Sequence, residues 1–93
     1  MLVAEIMKRK IEEALKPTRL DVADDSQRHA GHAGHHPGGE SHFTVTIVSA
    51  AFEGVGRIER HRKVNALLAE ELAGRVHALA LTLMTPDEEA RRL

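Results

Sequence analysis

The chain has 93 residues, which fits one small domain, 1–93, with a single modest core and no room for a deep internal pocket. A formal net charge of −1 gives no overall pull toward nucleic acid or membranes. Cysteine is absent, so a disulfide, a thiol nucleophile or an all-thiolate cluster site within this chain is excluded.

The first segment is not read as a signal peptide, because Glu5, Lys8, Arg9 and Lys10 interrupt its apolar residues. No apolar run approaches the length needed to span a bilayer, and a soluble cytoplasmic protein is the plain expectation. Val3, Ile6, Met7, Ile11, Ala14 and Leu15 recur at three- and four-residue steps and predict an amphipathic helix. Pro17 ends it. Leu20 and Val22 alternate with Asp21 and Ala23, which predicts a short strand with one buried face. Residues 26–40 are rich in histidine and glycine, have no apolar period, and read as a flexible loop.

Phe43, Val45 and Ile47 then alternate with His42, Thr44 and Thr46, the clearest strand in the chain. A tight turn follows at Phe52-x-Gly54. A helix is expected over Arg57–Leu72, with Val64, Leu67, Leu68 and Leu72 inward and Gly74 as its stop. Leu79, Leu81 and Leu83 mark the buried face of a third strand. Pro86, followed by Asp87, Glu88 and Glu89, suits the first turn of a short terminal helix. The order helix, strand, strand, helix, strand, helix predicts an α+β layer, a three-stranded mixed sheet with helices packed on one face. The first two strands can pair antiparallel, and the third can join in parallel through its helical crossover.

Seven histidines are present, and four of them, His29, His32, His35 and His36, crowd the loop. Imidazole is a common ligand for zinc, copper and iron, so the tract reads either as metal-binding or as a soluble low-complexity insertion. An independent metal-storage or metal-sensing role for this loop is a further possibility. His77 stands at the mouth of the third strand; taken alone, it reads as a half-buried histidine bonded to a loop. His42 lies on the polar face of its strand and reads as structural or solvent-facing. Arg57, Arg60, His61, Arg62 and Lys63 open a helix, where free N–H groups and the dipole already favour anions. The same residues also read as an ordinary solvated face, and His61 as a residue packed along the core stripe. No nucleophile–base pair stands at readable spacing and no nucleotide fingerprint is present, so the chain is not expected to be an enzyme.

Three blocks in order, Gly39-Glu40-Ser41-His42-Phe43, then Phe52-x-Gly54 with Arg60-His61-Arg62-x-Val64, then Val76-His77-Ala78-Leu79, resemble the BolA family. The resemblance covers most of the chain. It implies a class II KH-like αββαβ fold, in agreement with the element order read above. It also implies a protein that pairs with a monothiol glutaredoxin and helps to hold a bridging [2Fe-2S] cluster, in iron–sulfur cluster trafficking or iron homeostasis. The glutaredoxin and a glutathione give the thiolates. His77 corresponds to one family ligand, and a loop histidine gives the other. Arg28-His29 matches the family context from the N-terminal side, whereas the extra length before His42 makes His32 its competitor; His35 and His36 fit less well. Alone, the chain is expected as a monomer or weak dimer.

The resemblance carries an alternative, a DNA-binding transcriptional regulator whose affinity comes from phosphate contacts by Arg57, Arg60, Arg62 and Lys63. Against it, Gly54-Val55-Gly56 is not a Gly-x-x-Gly clamp, and Phe43 and Phe52 are the only aromatic residues for base stacking.

Overall fold

The computed structural model describes residues 3–25 and 42–92. The segment read as a flexible loop, 26–40, lies outside them. Helix α1 (Val3–Leu15) buries Met7, Ile11 and Leu15, one row of residues four apart. Lys16 then turns left-handed, with φ 44, as is common just past a helix end. Pro17 closes the helix as its position predicts.

Strands β1 (Arg19–Asp24), β2 (His42–Val48) and β3 (Ala78–Met84) form a three-stranded sheet in the order β1-β2-β3. The β1/β2 pair is antiparallel, with Leu20 opposite Ile47 and Val22 opposite Val45. The β2/β3 pair is parallel, with Phe43 opposite Leu79 and Val45 opposite Leu81. Side chains two apart share a face, so these residues form one apolar face. Phe43, Val45 and Ile47 from that face join Met7, Ile11, Leu15, Phe52, Val64, Leu68 and Val76 in the core. Burying each such large side chain stabilises the fold by about 1.5–3 kcal/mol relative to leaving it exposed.

A buried serine joins the first helix to the sheet. The Ser49 hydroxyl donates to the Leu15 carbonyl at 2.6 Å and accepts from the Ala51 N–H at 3.1 Å. The second bond caps a short 3₁₀ turn, Ala50–Phe52, which drives Phe52 into the core. Gly54 follows with φ 75, and a Cβ there would touch nothing within 4 Å. The demand for glycine is thus one of backbone conformation.

The helix expected over 57–72 is two helices, α2 (Arg57–Leu67) and α3 (Ala69–Ala73), bent at Leu68. Leu68 leaves helical geometry, yet its N–H still reaches the Val64 carbonyl and its own carbonyl accepts from Leu72, both at 3.0 Å. The apolar period therefore runs on through the bend, which is why the sequence reads as one element. Lys10 fastens α1 to α3 through Glu71 at 3.0 Å.

Helix α4 (Pro86–Arg92) opens with a reciprocal cap. The Thr85 N–H donates to Glu88 at 2.9 Å and the Glu88 N–H to the Thr85 hydroxyl at 3.1 Å, a capping box with proline at its first helical position. While α1 to α3 carry the core face, α4 reaches the opposite face at its far end. There Glu89 accepts from Arg19 at 2.9 Å and Arg92 donates to the Met84 sulfur at 3.2 Å. No helix among the described residues is long and apolar enough to cross a membrane.

Candidate functional site

The parallel register of β2 and β3 brings two histidines to one end of the sheet. His42, the first residue of β2, lies opposite Ala78, the first of β3, so His77 is one step from it. The two rings are 6.5 Å apart between centroids and inclined by 27°. The His77 side of this pair is exposed and the His42 side is half-buried. Val76, buried to 3 % exposure, and Ala78, in the ladder, fix the backbone on both sides of His77.

Asp25 completes the row on the far side of His42. Its N–H donates to the His42 carbonyl at 2.7 Å, and its carboxylate accepts from the Thr44 hydroxyl. The segment between Asp25 and His42 therefore leaves and rejoins the described structure at the histidine end. His29, His32, His35 and His36 belong to that segment and lie outside the described residues. Among the described residues, no group of three or more His, Cys, Asp or Glu side chains could hold a metal ion.

From sequence His42 reads as a structural or solvent-facing residue on the polar face of its strand, and it is half-buried there. Strand parity put it on the polar face, and that holds, but parity says nothing of neighbours across strands. The available signal was that both histidines stand at strand mouths; only the pairing register shows that the mouths adjoin.

The basic helix start also differs from expectation at one position. Arg60 is not offered to an outside anion. Its Nε donates to the Val55 carbonyl at 2.8 Å, Nη1 to the Leu83 carbonyl at 3.2 Å, and both Nη groups grip Glu88 at 2.7 and 3.1 Å. The guanidinium also lies 5.7 Å from the centre of the Phe52 ring, in cation–π range. The hydrogen bonds from Arg60 and then from the Thr85 backbone hold the Glu88 carboxyl down at about 2, and the same pairing raises Arg60 above its ordinary value. What remains outward is Arg57, Arg62 and Lys63, all exposed. Arg62 pairs with Glu59 at 2.9 Å, and the half-buried His61 donates from Nδ1 to the Arg57 carbonyl at 3.0 Å. Phe43 and Phe52, at 2 % and 0 % exposure, are both committed to the core and offer no face to a base.

The family model for BolA-like protein matches residues 11–88. BolA-like protein 1 of Homo sapiens is 48 % identical over 86 residues, 92 % of this chain and 60 % of the human protein, so the chain spans under two thirds of that relative. The DNA-binding transcriptional regulator BolA of Haemophilus influenzae is 39 % identical over 95 % of this chain and 82 % of its own length. Among solved structures, BolA1 from Arabidopsis thaliana is similar with a TM-score of 0.85 at 43 % identity, covering 95 % of this chain and 96 % of that one.

Proposed function

The chain belongs to the BolA-like family, and from that premise we propose that it is the histidine-donating partner of a monothiol glutaredoxin. The two proteins share a bridging [2Fe-2S] cluster in iron–sulfur cluster trafficking or iron homeostasis. The thiolates come from the glutaredoxin and a glutathione. His77 gives one imidazole, and His29 or His32 gives the second.

The observation that carries this reading is the exposed His77 ring, held between buried Val76 and the ladder residue Ala78, at the sheet end where the histidine-rich segment attaches. The donor chemistry agrees. A chain without cysteine cannot supply four thiolates, but it can complete a site whose sulfur comes from elsewhere. Bound in this way, the cluster supplies one-electron redox chemistry, at a potential that imidazole ligation raises. The part of this chain is to present neutral imidazole from a rigid strand mouth.

The test is anaerobic reconstitution with a monothiol glutaredoxin, iron, sulfide and glutathione, followed by visible absorption and circular dichroism. A heterodimer whose spectrum differs from that of the glutaredoxin homodimer, and which needs His77, supports the reading. Formation of the homodimer spectrum alone would overturn it.

A second reading, DNA-binding transcriptional regulation, is favoured by the name of the Haemophilus influenzae relative and by the exposed Arg57, Arg62 and Lys63 at the start of α2. It has lost Arg60 to an internal pair and both phenylalanines to the core. Three phosphate contacts would give a log–log salt slope of roughly −2.7 on duplex DNA. No binding at low salt would end this alternative.

A further inference from the structure

Separately from any shared cluster, we propose that His42 and His77 form a two-imidazole site for a single divalent transition-metal ion of the zinc, copper and nickel class. Metal–imidazole bonds of about 2.0–2.1 Å place the centroids of two coordinated rings roughly 5–6 Å apart. The pair in this chain stands at 6.5 Å with its rings inclined by only 27°. The two rings thus stand within about 1.5 Å of the span that one shared ion requires.

The backbone is already placed for it. The ladder sets His42 opposite Ala78, and the Asp25 N–H holds the His42 carbonyl from the other side at 2.7 Å. Ordering costs are thus confined to two short side chains.

The donor type sets the class of ion. Imidazole suits zinc, copper and nickel, whereas magnesium and calcium require oxygen ligands. Since the described residues hold no three-ligand group, water completes the coordination, and binding is weaker than at a four-ligand structural zinc site. This site differs from the histidine tract of 26–40 in its residues and from the cluster site in its use of His42.

The experiment uses the untagged full chain with His29, His32, His35 and His36 all replaced by alanine, titrated at neutral pH with zinc alone. Calorimetry gives the stoichiometry, and long-range ¹H–¹⁵N spectra report each imidazole. One ion per chain is expected, with the ring nitrogens of His42 and His77 shifting together and those of His61 unchanged. Adding either His42→Asn or His77→Asn to this background should weaken binding at least tenfold, with backbone spectra confirming the fold. No saturable binding by the four-alanine chain, or binding indifferent to His42, overturns the site. Neither outcome touches the glutaredoxin reading, which is scored on the wild-type loop by the cluster spectrum.

Discussion

Arg60 holds both carboxylate oxygens of Glu88, at 2.7 and 3.1 Å, and so joins the start of α2 to the start of α4 across 28 residues of sequence. With only 12 % of its side chain exposed, Arg60 also satisfies the carbonyls of Val55 and Leu83 and lies over Phe52. Arg60→Ala removes all of these at once and leaves two carbonyls short of donors. The expected loss is roughly 2 kcal/mol, read from urea denaturation. Arg60→Lys should recover only part of it, because an ammonium cannot make the two-pronged contact. Stability unchanged in the alanine variant would show that the pair does no structural work.

The same pair predicts an acid limb in the stability curve. Glu88 is lowered from 4.5 to about 2 in the folded chain. A carboxylate depressed by folding contributes stability that is complete above its unfolded value. That contribution is lost as the pH falls from about 4.5 toward about 2. Urea midpoints measured across this window should decline for the wild type. In Glu88→Gln the decline should be shallower, from a lower plateau. Parallel curves would assign the acid limb to other carboxylates.

These two residues also mark what the sequence could and could not disclose. Strand faces were legible, because Leu20, Val22, Phe43, Val45 and Ile47 alternate with polar residues and only one face can be buried. The terminal helix was legible from Pro86 and the acids behind it. The fate of Arg60 was not, since a basic run at a helix start looks alike whether it faces solvent or a carboxylate 28 residues away. The bend at Leu68 was hidden because the hydrogen bonds, and with them the apolar period, continue through it. His77 stood out only through the family resemblance, and its neighbour His42 only through the register of a parallel pair.

Ser49 offers a separate test of how the sheet is tied to α1. Its side chain is fully buried, and its hydroxyl donates to the Leu15 carbonyl while accepting from the Ala51 N–H. Ser49→Ala leaves the buried Leu15 carbonyl and the part-buried Ala51 N–H without this partner. The expected cost is about 1–3 kcal/mol, with amide exchange faster in both α1 and the Ala50–Phe52 turn. A cost under half a kilocalorie would mean that water replaces the hydroxyl.

His77→Ala separates a ligand from a structural residue. Because the His77 side chain is exposed and outside the core, its removal should change folding stability by no more than about 0.5 kcal/mol. In the glutaredoxin reading it should nevertheless abolish the heterodimer spectrum, since one ligand of the shared cluster is gone. The control is the double change His35→Ala and His36→Ala, which removes as much imidazole from the chain as two ligands would but spares His77, His29 and His32. That variant should keep the spectrum. Of the two remaining loop candidates, the one whose single alanine change matches the His77→Ala phenotype is the second ligand. A spectrum that survives His77→Ala in a folded chain would remove the assignment, because no other histidine among the described residues stands exposed at this strand mouth.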